Sequence, residues 1–133
     1  MTNRVMSEST IRVRYAETDK MGVVYHANYF IWFEVGRTDW LRHRGWTYKE
    51  MEAGGVKLPV IGAQCEYLRS ATYDETIVIR TTGVMHSPVR VEFLYEAVKE
   101  DGVVSARGST MHAAVDDQGR PCRLPQRVRE VFQ

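Results

Sequence analysis

Tyr15-Ala-Glu-Thr-Asp19-Lys-Met-Gly22-Val-Val-Tyr25-His26-Ala-Asn28-Tyr29 hangs the Asp19 carboxylate in a glycine-containing turn just ahead of an aromatic-rich segment. On its N-terminal side, Ile11, Val13 and Tyr15 alternate with Arg12 and Arg14, the period-two pattern of a half-buried strand. On its C-terminal side, Asn28 to His43 predicts a helix about 24 Å long, with Asn28 as N-cap and Gly45 as stop. The first turns of that helix are apolar almost all the way round, which predicts burial. Tyr29, Phe33, Gly36 and Trp40 share one face. A glycine inside a helix costs up to about 1 kcal/mol, so Gly36 predicts close approach to another backbone.

Beyond the helix, Thr47 to Ala53 predicts a short second helix ending at Gly54-Gly55. Alternation then dominates: Leu58 to Arg69, Glu75 to Thr82, Val89 to Val98 and Val103 to Val115, separated by turn signals at Thr72-Tyr-Asp74, His86-Ser-Pro88 and Asp101-Gly102. These read as four strands chained in a meander, followed by a short helix near Arg127 to Phe132. The order predicts an α+β domain, a five-stranded antiparallel sheet wrapped around the long helix. An open sheet leaves edges that a second copy would cover, which predicts a homo-oligomer.

The 133 residues fit one domain spanning 1–133, and 44% hydrophobic with 26% charged residues is ordinary for a globular chain. A net charge of +1 offers no global field for nucleic acid or an anionic membrane surface. The N-terminal Met1 to Thr10 lacks the apolar core of a leader, and no apolar run reaches membrane-spanning length, so a cytoplasmic location is expected. Cys65 and Cys122 lie far apart and read as reduced thiols.

No Gly-x-Ser-x-Gly elbow, His-Glu-x-x-His, phosphate-cradling loop or dinucleotide fingerprint occurs. His26, His43, His86 and His112 fall on different predicted elements, and no metal site is expected. Asp19 remains, beside Gly22, where the lack of a Cβ lets chain and ligand come close. The first N–H groups of the helix have no intrahelical partners and sit at its positive end. A thioester carbonyl polarised there would be open to attack by Asp19 or by a water that Asp19 activates. Its thiolate leaving group needs little protonation, so no general acid is compulsory.

Residue types by themselves leave a second reading open, a plain turn in which Asp19 bonds its own backbone. His26 then simply closes the helix entry, and Tyr25 and Tyr29 are core aromatics. Glu17 reads as solvent-facing, and Glu34 as a partner of Arg37. Trp32, Phe33, Trp40 and Met51 read as core before pocket.

The motif Tyr15-x-Glu17-Thr18-Asp19-x-x-Gly22-Val23-Val24-Tyr25-His26-x-Asn28-Tyr29, with Glu34 and Arg37-Thr38 after it, resembles the 4-hydroxybenzoyl-CoA thioesterase family of hotdog-fold proteins, most closely its acyl-CoA branch associated with the Tol-Pal system. Glu66-Tyr67 through Asp74 and Gly119 through Pro125 extend the likeness. The resemblance implies a hotdog fold and an acyl-CoA thioesterase that needs no cofactor, CoA being part of the substrate. It puts the catalytic aspartate on Asp19, oriented by Thr18 and Tyr15, and the polarising amide on His26. Gly22, Tyr25 and Tyr29 are candidate substrate contacts, and Ser87 and Arg90 candidate nucleotide contacts. It implies a homodimer or homotetramer with the acyl pocket between subunits. An acyl-carrier-protein thioesterase and a non-catalytic acyl-CoA binding or docking module are the alternatives.

Overall fold

The computed structural model describes residues 6–132. Met1 to Val5, within the stretch read above for a leader, and Gln133 lie outside the described residues. The elements are β1 (Met6–Arg12), a 3₁₀ turn (Tyr15–Glu17), α1 (Asn28–His43), α2 (Tyr48–Ala53), β2 (Val60–Tyr67), β3 (Thr76–Met85), β4 (Arg90–Lys99), β5 (Val104–Ala113) and α3 (Gln126–Val131). The five strands form one antiparallel sheet in the order β1-β3-β4-β5-β2.

Two expectations change here. The first strand begins earlier than Ile11, because Ser7 and Ser9 turn inward in step with it, and it ends before Tyr15, which enters the 3₁₀ turn and is 77% exposed. The four later strands are not a simple meander. β3, β4 and β5 are, but β2 crosses to the far edge and pairs only with β5. Alternation decides which face a residue takes and is silent about which strand lies alongside. The Thr72 to Asp74 signal is accordingly no hairpin: this segment runs across the end of the sheet, bridging Val23 through Thr72 and receiving β1 through Asp74 N–H to the Val13 carbonyl at 2.9 Å.

α1 matches its predicted span, and Gly45 stops it at φ +81°. Tyr29, Trp32, Phe33, Gly36, Trp40 and Leu41 are buried, three and four residues apart, against the sheet. Burial does not extend all round, since Ile31 and Val35 are exposed on the opposite stripe. A Cβ at Gly36 would strike Thr81 Oγ1 and come within 2.9 Å of Ile79 Cγ2, so the close approach is to β3 side chains instead of backbone. Phe33 stacks on Tyr95 with centroids 4.3 Å apart, and Trp40 meets Phe93 edge-on at 5.6 Å. Each such large apolar side chain stabilises the fold by roughly 1.5–3 kcal/mol when fully buried. Trp32, Phe33, Trp40 and Met51 all belong to this core.

The helix cap also differs. Ala27, in helical conformation, precedes the first helical residue, and Asn28 makes no cap bond. Its side-chain amide donates instead to the Glu17 carbonyl at 2.8 Å. α2 starts one residue later than expected, at Tyr48, because Thr47 is its cap, with Oγ1 accepting from the Glu50 N–H at 3.1 Å.

Candidate active site

The turn after β1 is closed by a bridge between Thr18 and Val24, and by the Asp19 N–H donating to the Val23 carbonyl at 2.9 Å. Gly22 has φ +81° with nothing within 4 Å of where a Cβ would stand, so it serves the turn through its backbone conformation. Asp19 Oδ1 accepts the Met21 N–H at 2.8 Å. This is the self-bonded turn of the plain reading, and it also aims the group, because the second carboxylate oxygen has no partner among the described residues. Thr18 holds the turn from below, its hydroxyl donating to the Tyr15 carbonyl at 2.7 Å.

His26 and Ala27 lie at the head of α1, and neither amide N–H has a partner among the described residues. The amides on either side are engaged: Tyr25 N–H donates to the Glu17 carbonyl and Asn28 N–H to the Tyr25 carbonyl. The free pair therefore sits at the positive end of a sixteen-residue helix. Asp19 and His26 line one cavity of about 240 Å³ together with Val24, Tyr29, Tyr67 and Arg69. A carboxylate and the helix-head residue His26, whose amide is unpaired, meet at the same small space, and the two can respectively activate a nucleophile and receive charge.

The remaining predicted residues take different places. Tyr29 is a buried wall of the cavity; its hydroxyl lies 2.8 Å from Ser105 Oγ, which itself donates to the Arg69 carbonyl at 2.6 Å, so Tyr29 is the donor. Burial pushes the Tyr29 phenol up, keeping it protonated. Tyr15 and Tyr25 line a neighbouring concavity of about 680 Å³ on the other flank of Asp19. Tyr15 packs edge-on against Tyr73 at 5.7 Å, and Tyr25 lies over the His26 ring at 4.4 Å. Ser87 and Arg90 are not brought to this site within one chain. They form the turn into β4, Ser87 Oγ accepting the Val89 and Arg90 N–H groups, whereas the other end of β4 borders the site, where Lys99 Nζ donates to the Ser70 carbonyl. The strand between them spans roughly 30 Å.

Glu17 is the clearest correction. It is buried at 5% exposure instead of facing solvent, and its Oε2 accepts the Trp32 indole N–H at 2.9 Å. Burial raises its pKa, but the bonds from the Arg14 amide, the Trp32 indole and the Arg14 guanidinium outweigh it and hold the carboxyl below its usual value. A buried tryptophan on the apolar face of α1 requires an acceptor for its N–H, and that requirement was the signal that could have found it. Tyr67 and Arg69 had no such signal, since they reach the cavity through the crossing of β2. Among the described residues, no three His, Cys, Asp or Glu side chains converge, and Cys65 and Cys122 are free thiols.

A family model described as the Thioesterase-like superfamily matches residues 13–132. YneP of Bacillus subtilis (strain 168), provisionally named an acyl-CoA thioesterase, is 38% identical over 113 residues, covering 85% of this chain and 82% of YneP. The acyl-CoA thioester hydrolase YbgC of Escherichia coli O157:H7 is 28% identical over 131 residues, 98% of each chain. The solved DHNA-CoA thioesterase of Staphylococcus aureus superposes with TM-score 0.86 at 39% identity, covering 90% of this chain and 80% of that one. With its five-stranded antiparallel sheet packed against a central helix and the family match running from just after β1 to just past α3, the chain belongs to the thioesterase-like superfamily and has the hotdog fold.

Proposed function

We propose that this thioesterase hydrolyses acyl-CoA to free acid and CoA, with Asp19 as nucleophile or general base and the helix amides at His26 receiving the oxyanion. The observation that carries the reading is the shared cavity: a carboxylate with one oxygen tied to Met21 and the other free lines the same space as His26, whose amide is unpaired. As general base, Asp19 takes a proton from water while the water oxygen attacks the thioester carbon; as nucleophile, it forms a transient anhydride that water then cleaves. In both routes the carbonyl oxygen gains charge beside the amides and CoA leaves as thiolate. No cofactor is required beyond the CoA carried by the substrate, and exhaustive chelation should leave turnover unchanged.

The long motif around Asp19 supports a place in the 4-hydroxybenzoyl-CoA thioesterase family and its Tol-Pal-associated branch. The likeness to a DHNA-CoA thioesterase favours including that ester beside short and long acyl-CoA. A homodimer or tetramer is part of the proposal, supported by β2, an edge strand with Val60 and Ile61 exposed. Across subunits, Ser87 and Arg90 of one copy would reach the nucleotide of a substrate held by the other. The reading includes a single domain acting in the cytoplasm; among the described residues no helix is long and apolar enough to cross a membrane.

The deciding experiment is Asp19→Asn, which should lower kcat by several orders of magnitude in a folded protein of unchanged oligomeric state. Turnover within tenfold of wild type would refute the assignment. Matched acyl-CoA and acyl-carrier-protein esters separate the carriers, and single turnover in ¹⁸O-water tests for the anhydride: label in Asp19 requires water to have cleaved an anhydride at the Asp19 carboxyl carbon.

A further inference from the structure

Glu17 is the one buried carboxylate among the described residues. Its Oε1 accepts the Arg14 N–H at 2.8 Å, and its Oε2 accepts the Trp32 indole N–H at 2.9 Å with Arg14 Nη2 at 3.5 Å. Its carbonyl accepts twice more, from the Tyr25 N–H and from Asn28 Nδ2, each at 2.8 Å. Tyr25 and Asn28 bracket His26 and Ala27, the residues with unpaired amides. Two residues downstream of Glu17 the same chain carries Asp19. Main chain and side chain of one residue therefore grip both halves of the site, and Trp32, 1% exposed in the core, anchors the grip.

We infer that Glu17 is a positioning residue for thioester hydrolysis: its side chain, held by Arg14 and Trp32, fixes the main chain that leads to Asp19 and whose carbonyl takes Tyr25 and Asn28 at the head of α1. The inference rests on the function proposed above. Folding asks only for an acceptor for the Trp32 indole N–H, and burying a carboxylate costs free energy that a neutral acceptor would avoid. What an ionised carboxylate supplies is two oxygens that both accept, so it can meet donors arriving from the turn and from the helix at once. Glutamine offers only one such oxygen and would aim an NH₂ group at another donor. A small misplacement of a reacting group lowers turnover far more than it lowers binding.

The test uses the whole protein and compares Glu17→Gln, Trp32→Phe and their double variant with Val128→Ala. Val128, the buried residue of α3, lies outside the site and serves as a stability control. Glu17→Gln should lower kcat by roughly tenfold to a hundredfold at temperatures where it is folded, with KM within about twofold. Val128→Ala should lower Tm and leave kcat near wild type. The double variant should be no slower than Glu17→Gln alone, because both single changes break one link. If Glu17→Gln does not fold, Trp32→Phe carries the test, expected to lower kcat about threefold to tenfold at unchanged KM. Wild-type kcat in folded Glu17→Gln, or in Trp32→Phe where that variant carries the test, overturns the inference. So does a kcat loss no larger than that of a control matched in Tm. An inactive Asp19→Asn beside a fully active Glu17→Gln would refute this inference alone, whereas an active Asp19→Asn would refute the functional reading itself.

Discussion

The phenol of Tyr67, at the end of the edge strand β2, donates to the His26 carbonyl at 3.0 Å, joining residues 41 apart in the chain. That carbonyl belongs to the peptide unit whose N–H is the unpaired amide of Ala27. The Tyr67 pKa is pushed up to about 12, first by burial and then by Cys65 and Tyr29, so the hydroxyl remains a donor through the physiological range. Tyr67→Phe removes the bond while keeping the ring, and should lower kcat about threefold to tenfold with little change in KM. Steady-state kinetics on one acyl-CoA ester checks it, and unchanged kcat would remove Tyr67 from any part in the site.

His112, fully buried, sits in a directed chain of hydrogen bonds. The Leu58 carbonyl can only accept, so His112 Nδ1 carries the proton and Nε2 accepts from the Thr110 hydroxyl, which in turn accepts from Tyr95. The His112 pKa falls to about 4: burial lowers it, the Leu58 bond pulls the other way, and the Arg37 charge adds to the lowering. Between that value and the unfolded value near 6.5 the unfolded chain binds a proton that the folded chain does not, so stability falls as pH drops through this window. The loss should reach the order of 3 kcal/mol by pH 4. Thermal melts from pH 8 to 4 should show it, with a shallower slope for His112→Gln; equal slopes would contradict the assignment.

Gly36→Ala gains up to about 1 kcal/mol of helix propensity on paper. The added methyl would meet Thr81 Oγ1 and Ile79 Cγ2 across the α1–β3 contact, and overpacking of this kind costs roughly 1–3 kcal/mol. The expected outcome is net destabilisation, read as a lower denaturation midpoint at unchanged m-value. A more stable variant would mean that the helix can lift from the sheet freely.

Arg90→Ala should raise KM for acyl-CoA severalfold with kcat within about twofold, because the proposed contact is to the nucleotide and is made equally in ground and transition states. Ile61→Lys, on exposed β2, should shift sedimentation toward monomer and lower activity in step. Activity retained by a monomeric variant would rule out a site completed between subunits.

Much of the molecule is written locally. Period-two alternation gives β3, β4 and β5 to within two or three residues, and α1 follows from its apolar spacing and the glycine after it, since side-chain periodicity and backbone conformation are properties of neighbouring residues. Asp19 and the helix head were legible for the same reason, both lying in one continuous stretch of fifteen residues. The bonds that join them were not. Glu17 looked like one more polar residue of a turn until Trp32, fifteen positions away, supplied the donor that buries it.

Local pattern thus suffices for the elements, for the Asp19 carboxylate in its turn and for the direction of the helix that follows it. Long-range packing places β2 at the far edge, Tyr67 and Arg69 along the cavity, and the Glu17 side chain inward. Those outcomes depend on pairings between residues distant in the chain. Which strand lies alongside, and which donor meets a buried acceptor, is chosen by the packing of the whole core and leaves no local periodicity to read.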